Sequence, residues 1–341
     1  MKKSLIALAA LAASGMAMAQ SSVTLYGVLD TGLTYSKGAD SVYGMTHVGG
    51  NVNSRLGFRG VEDLGNGLKA TFNLEAGMGV DDGTDYFTGN GLAFRRTSTV
   101  GLEGNFGSVR LGRMLTSSYL AVSRYDAFGD TGIGASLAWK RAYALRSENA
   151  ISYNSPSFNG FKFGAEYGFG ENKSAANNRY MGLAGTYDNG PLSLGLGYDY
   201  ANRSHANAAN NLTTWQLGGA YNFGVAKVMA FYKNTKEQAP GANASLKFKT
   251  FGLGVSAPVG AAGEVKASYN NHKLTNKNGK AQQLSLGYVH NLSKRTALYG
   301  TYAYLKNKDG VVFGGLNGAM TGAGLDNGKQ HGLQAGIRHA F

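Results

Sequence analysis

Cysteine is missing from all 341 residues, so whatever holds this chain together is not a disulfide framework. Proline is scarce, with 4 residues. Long hydrophobic runs are missing too: beyond the first twenty residues no stretch approaches the ~18 consecutive apolar residues of a membrane-spanning helix. Acidic groups are under-represented, with 20 Asp and Glu against 33 Lys and Arg and a formal net charge of +13. A basic balance can signal nucleic-acid binding, but no helical recognition motif or basic cluster accompanies it. The positive charge therefore belongs to a surface or to an internal passage.

What is present starts with an export signal. Lys2 and Lys3 precede an apolar stretch from Leu5 to Ala13, and Ala17-Met18-Ala19 forms a small-x-small cleavage site before Gln20. Residues 1–19 are read as a cleaved signal peptide and 20–341 as the mature chain. Glycine (52), tyrosine (20) and phenylalanine (16) are plentiful. The mean hydropathy of −0.22 is too polar for a helical membrane protein. It suits strands that alternate between a lipid-facing and a lumen-facing side.

That alternation is written out along the chain. In 22–35 (SVTLYGVLDTGLTY), Val23, Leu25, Leu29, Leu33 and Tyr35 share one parity, and Thr24, Tyr26, Asp30 and Thr34 the other. A period of two over so long a segment is a strand with one apolar face, longer than soluble strands usually run. In 54–62, Leu56 and Phe58 oppose Arg55 and Arg59; in 68–77, Leu68, Ala70, Phe72 and Leu74 oppose Lys69, Thr71, Asn73 and Glu75. Short turns at 63–67, 104–108, 155–160, 188–191, 222–225, 258–263 and 291–295 alternate with longer polar connections at 36–53, 78–93, 114–148, 171–178, 202–211, 235–245, 273–280 and 306–328. These connections join sixteen strands, with both termini at the short-turn end. Strands that span lipid must close on themselves, and sixteen enclose an aqueous channel rather than a filled core. The fold class is therefore all-β, a 16-stranded antiparallel transmembrane β-barrel. A soluble β-sandwich or β-solenoid would explain the alternation but not the strand length, the two classes of loop or the terminal phenylalanine. The connection 114–148 lacks sustained alternation and is long for structureless chain in a compact fold. It is read as a loop folded into the bore.

The blocks SSVTLYGVLDTG (21–32), SRLGFRGVEDLGNGLKATFNLE (54–75), VGLEGNFGSVRLGR (100–113), ISYNSPSFNGF (151–161) and GIRHAF (336–341) occur in this order. On these blocks the chain resembles the Gram-negative general porins of the trimeric, sixteen-stranded type, most of all those of Betaproteobacteria. The resemblance implies an outer-membrane homotrimer in contact with membrane lipid and lipopolysaccharide. It also implies folding by the outer-membrane assembly machinery, with Phe341 as the recognition residue, and passive diffusion of small hydrophilic solutes. No cofactor, metal or nucleic acid is implied.

The resemblance further places wall arginines at Arg55, Arg96 and Arg146, with Glu75 lying against them. Alternation agrees for Arg55, Arg59 and Arg146. It disagrees for Arg96, which shares the parity of Val100 and Leu102, so either a bulge turns Arg96 inward or Arg95 is the inward one. Asp126 and Asp130 are the candidates for an acidic side on the loop, which also carries Arg124, Lys140 and Arg141. Lys140 and Arg141 have a competing reading as solvated loop or subunit-contact charges. Val28 stands where enterobacterial porins carry a wall lysine. Positive groups outnumber Asp126, Asp130, Glu75 and Glu148, which points to a preference for anions.

Rival functions leave weaker marks. The six histidines form no constellation with a serine or carboxylate, which argues against a hydrolase. A sugar-specific channel would line its lumen with aromatics, whereas most aromatics here have lipid-facing parity. A phosphate-type channel would extend a basic ladder along several loops, and an adhesin would have no use for a charged inserted loop. Glycine pairs such as Gly195-x-Gly197 are read as ordinary strand glycines.

Overall fold

A computed structural model describes residues 22–85, 91–139, 144–171, 179–202, 211–238, 245–275, 279–308 and 313–341. The proposed signal peptide, Lys140 and Arg141 lie outside these residues. Seventeen strands form one antiparallel sheet: β1 Ser22–Lys37, β2 Ser41–Met45, β3 Arg55–Gly65, β4 Leu68–Gly77, β5 Thr97–Gly104, β6 Gly107–Leu115, β7 Arg146–Asn154, β8 Phe161–Gly168 and β9 Tyr180–Asn189. These are followed by β10 Leu192–Asn202, β11 Asn211–Asn222, β12 Lys227–Gln238, β13 Ser245–Val259, β14 Gly263–Leu274, β15 Gly279–Asn291, β16 Thr296–Lys308 and β17 Lys329–Ala340.

Each strand from β3 to β17 pairs with the next, and β17 returns to β1 in the register Leu33↔Ala335, which closes the barrel. β1 meets β3 through its first half (Leu25↔Phe58), while its second half meets β2 (Tyr35↔Tyr43). β2 is therefore an added ribbon within the connection read from sequence as 36–53, and the closed barrel has sixteen staves. The first hairpin turn shows why the short connections can be tight: Asn66 and Gly67 both take positive φ, 53° and 77°. This is the conformation that two-residue hairpin turns demand of their central residues.

The alternation resolves into two faces. Leu25, Leu33, Val100, Leu196, Leu217, Leu253 and Leu286 are exposed on the outside. Asp30, Thr34, Asp199, Gln216, Lys233, Asn270, Gln283 and Gln334 are buried on the inside. The apolar core of the molecule lies within the bore, where the connection after β6 packs on the wall. Its helix α1 (Ser117–Ser123) and a 3-10 turn (Leu137–Trp139) place Tyr119, Val122, Tyr125 and Trp139 against Ala220, Met229 and Phe231. A second cluster joins Ile133 and Leu137 to Leu305, Phe313 and Leu316, so the connection before β17 also folds inward. Sequence reading had not singled out that second loop.

The seam is completed by the last residue. Phe341 N–H donates to the Gly27 carbonyl and Gly27 N–H to the Phe341 carbonyl, both at 3.1 Å. The Phe341 ring lies over Gly27, where an added Cβ would sit 2.4 Å from the ring and 2.8 Å from the Arg55 carbonyl oxygen. Gly27→Val should therefore block ring seating and closure together. We expect the fraction of folded, heat-modifiable barrel on unheated SDS gels to fall severalfold, and Phe341→Ala to lower it less. Unchanged folding of Gly27→Val would show that this contact does not close the barrel.

Candidate functional site in the barrel lumen

The basic side of the bore is organised by Glu75, which points inward from β4. Its carboxylate accepts from Arg96 Nε at 2.6 Å and from the Tyr26 hydroxyl at 3.0 Å, with Arg55 Nε at 3.5 Å. Arg59 lies over the Tyr26 ring, 5.3 Å from its centroid. Arg146, the first residue of β7, donates through Nε to the Arg96 carbonyl at 2.8 Å. Arg55, Arg59, Glu75, Arg96 and Arg146 thus come together as one patch. Val28 is buried on the same inner parity of β1.

The conflict over Arg96 has a local cause. β5 begins only at Thr97, so Arg96 precedes the alternation and turns in to Glu75, buried at 6% exposure. Arg95 is not thereby turned away. It lines a cavity of about 600 Å³ with Arg113, Arg146, Glu148, Arg179 and Tyr180. A register shift between Gly112 and Met114, with Asn149 at φ 51°, marks a bulge between β6 and β7. Bulges re-aim side chains, and here Arg113 pairs with Glu148 at 2.8 Å. Arg113 and Arg179 escaped sequence reading. The first lies at a bulge that shifts parity, and the second precedes its strand.

Opposite this patch, the inserted loop has its backbone polar groups satisfied by the wall. Glu166 accepts from Ser117 N–H at 2.9 Å, and Gln216 Nε2 donates to the Ser118 carbonyl at 2.8 Å. Lys233 Nζ donates to the Ala138 carbonyl at 2.9 Å and Gln283 Nε2 to the Ala135 carbonyl at 3.0 Å. The apparently ordinary glycines of β10 seat the helix. A Cβ at Gly195 would lie 2.1 Å from the Ala121 carbonyl oxygen, and one at Gly197 2.8 Å from that of Ser118. At the far end, Asp30 accepts from Gly50, Asn51 and Val52 N–H groups and from the Tyr299 hydroxyl, all at 2.7–3.0 Å. It fixes the 49–52 segment against which Gly132 packs. In sequence Asp30 carried no mark beyond inward parity.

The loop's charged candidates separate. Asp130 is the one that meets the basic side: its carboxylate accepts from Tyr119 Oη at 2.7 Å and from Asn53 Nδ2 at 3.3 Å, and the Asn53 carbonyl accepts from Arg55. Asp126 departs from the expectation of a carboxylate facing the passage. It is buried inside the loop, accepting from Phe128 N–H at 3.0 Å, Ser136 N–H at 3.2 Å and Trp139 Nε1–H at 2.9 Å. Arg124 also turns away from the basic patch. It pairs with Asp188 at 3.1 Å and lies over Tyr125, pinning the loop to β9. Among the described residues, His47, Asp81 and Asp82 come close enough to share a metal ion, with His47 Nδ1 2.8 Å from Asp81. No sequence motif announced this exposed trio.

A closed barrel with an apolar exterior, a polar interior and an inward loop between charged walls defines a membrane channel. Residues 5–310 match the Gram-negative porin family. Outer membrane porin protein 32 of Delftia acidovorans is 46% identical over the whole of both chains, and an outer membrane porin protein of Bordetella pertussis is 34% identical, also over both whole chains. The solved anion-selective porin from Comamonas acidovorans superposes with a TM-score of 0.87 at 44% identity, covering 94% of this chain and 100% of that one. The chain belongs to the Gram-negative porin family and is an outer-membrane porin.

Two outcomes test the loop's anchorage. Gly195→Val should displace α1 from the wall, giving a larger and noisier single-channel conductance in planar bilayers. An unaltered conductance would show that the loop does not rest on β10. Burial raises the Asp126 carboxyl to about 6, against the three N–H donors that favour its ionised form. A raised carboxyl costs stability as pH climbs from the unfolded value, about 3.9, through 6, and no more above that. Hydrogen exchange at Phe128 and Ser136, corrected for intrinsic rates, should show weaker protection at pH 7 than at pH 4. The step should vanish in Asp126→Asn, and a step that persists there would assign it to another group.

Proposed function

We propose that this porin is a passive, non-catalytic diffusion channel with a preference for anions. The observation that carries this reading is the cavity lined by Arg95, Arg113, Arg146 and Arg179, in which Glu148 is the sole carboxylate among the described lining residues. Glu75 offsets part of the charge of Arg55 and Arg96, and the arginines of the bore still outnumber the carboxylates beside them. Low-dielectric walls focus that field on the passage, and arginine-rich linings favour anions. The resemblance to the anion-selective Comamonas porin supports the same sign.

In this reading residues 1–19 are removed on export, 20–341 form the barrel, and 114–148 narrow it. Arg55, Arg59, Glu75, Arg96 and Arg146 form the constriction wall and Asp130 its acidic counterpart, while Arg124 and Asp126 act as anchors of the loop. Lys140 and Arg141 belong by sequence to the same connection and add to its positive charge. The working form is a homotrimer in contact with outer-membrane lipid and lipopolysaccharide, assembled through the Phe341 strand, and the solutes are small and hydrophilic. A related outer membrane protein of Vibrio cholerae, at 17% identity, has been solved in a trimer form.

The zero-current potential under a KCl gradient in a planar bilayer is the direct test. Chloride should pass preferentially, and Arg146→Ala together with Arg179→Ala should reduce the permeability ratio about two- to fivefold, with 1 M salt weakening the effect by screening. Cation preference in the unmodified channel would overturn the assigned sign. Absence of conductance from folded protein would overturn the open-channel reading.

A further inference from the structure

A carboxylate sealed from the passage governs where two residues of the passage stand. Asp30 is fully buried on the inner side of β1. Its Oδ1 accepts from Gly50 N–H at 2.9 Å and from the Tyr299 hydroxyl at 2.7 Å. Its Oδ2 accepts from Asn51 N–H at 3.0 Å and Val52 N–H at 2.8 Å. Three successive N–H groups turned toward one carboxylate form the concave arrangement that holds anions, and bonds to a charged acceptor are roughly twice as strong as neutral ones. The main chain of Asp30 adds a second tie: its N–H donates to Ser54 Oγ and its carbonyl accepts from that hydroxyl, both at 2.9 Å.

Asn53 stands between these two ties, with 50–52 on one side and Ser54 on the other. Its Nδ2 donates to Asp130 Oδ1 at 3.3 Å, and its carbonyl accepts from Arg55 Nη1 at 3.0 Å. It therefore touches the acidic loop and the basic wall at once. The other Asp130 oxygen is held by Tyr119, and the Asp130 carbonyl by Asn317 Nδ2 at 2.9 Å. Withdrawal of Asn53 would thus leave the loop in place while uncovering Asp130 Oδ1, and an uncovered carboxylate at a constriction favours cations. We propose that Asp30 is a positioning residue for ion selectivity: it sets Asn53 against Asp130 and Arg55, and so keeps the acidic side of the constriction covered. The inference rests on the anion preference proposed above and assigns one of its determinants. An amide at position 30 does not do the same, because whichever way it lies its NH2 group faces at least one of the three N–H donors.

The test is the zero-current potential of the purified channel under a KCl gradient, measured on Asp30→Asn, Asn53→Ala and the double variant. If Asp30 acted through its own charge, Asp30→Asn would raise the chloride preference. As a positioning residue it should instead lower the chloride-to-potassium permeability ratio about twofold, and Asn53→Ala should lower it to a similar extent. The double variant should match the single ones, because residues acting through one contact are not additive. A raised ratio in Asp30→Asn, an unchanged ratio in either single variant, or an additive double variant would each overturn the positioning role. Should Asp30→Asn fail to fold, Tyr299→Phe keeps the carboxylate and removes one donor. It should give a smaller fall in the ratio that disappears in the Asn53→Ala background, and no fall, or one that persists there, would overturn the role. The potential of the unmodified channel reports separately on the anion preference, since coupling between positions 30 and 53 is read as a difference whichever sign that channel has.

Discussion

An irregular backbone inside a lipid-embedded barrel must find its hydrogen-bond partners within the protein, and that constraint governs the interior of this molecule. Strands satisfy one another, but the loop after β6 has no sheet to join. Gln216, Lys233 and Gln283 supply donors to its carbonyls from three separate staves, and Glu166 accepts from the first turn of α1. These contacts set the height and direction of the loop. They seat Trp139 on Phe231, 5.2 Å between ring centroids, and hold Tyr119 where it reaches Asp130. The apolar cluster in the bore follows from that placement, because Trp139 and Val122 are buried only while the loop lies against the wall.

The same economy of partners shapes the charges. Guanidinium groups leaving water need acceptors, and Glu75 provides both of its oxygens to Arg96, Arg55 and Tyr26. Arg146 is tied to the same cluster through the Arg96 backbone carbonyl, which positions its guanidinium beside the Glu75 group. Glu148 is more exposed than Glu75, with 58% of its side chain accessible against 13%, so solvent and salt weaken its pairing with Arg113. The interior therefore separates a tightly paired cluster around Glu75 from a more exposed pair, Arg113 and Glu148, in the cavity that Arg179 also lines.

Outside, the burden is different. The wall has to match a layered solvent, apolar at mid-height and charged at the rim, while giving the sheet no free edge. Pairing of β17 with β1 removes the edge, and Phe341 completes the seam over Gly27, which has no side chain to stand in its way.

The period-two alternation, the placement of tight turns and the even strand count were determined by the sequence alone, because a strand's two faces meet two solvents and each residue must suit one of them. The inward aim of Arg55, Arg59 and Glu75 followed from the same rule, since all three are paired residues of their strands. Tertiary structure decided the rest wherever the rule lapses. Arg96 turns inward because pairing begins one residue later, and Arg113 joins the basic cavity at a bulge that parity counting cannot anticipate. Gly195 and Gly197 read as ordinary strand glycines because the object they make room for, α1, arrives from about 75 residues away in sequence, the separation of Ala121 from Gly195. Asp126 and Asp130 are four residues apart and chemically identical, yet one is sealed among N–H donors and the other reaches toward Asn53. Alternation is a local consequence of strand geometry, whereas burial of a loop carboxylate depends on which distant wall the loop meets.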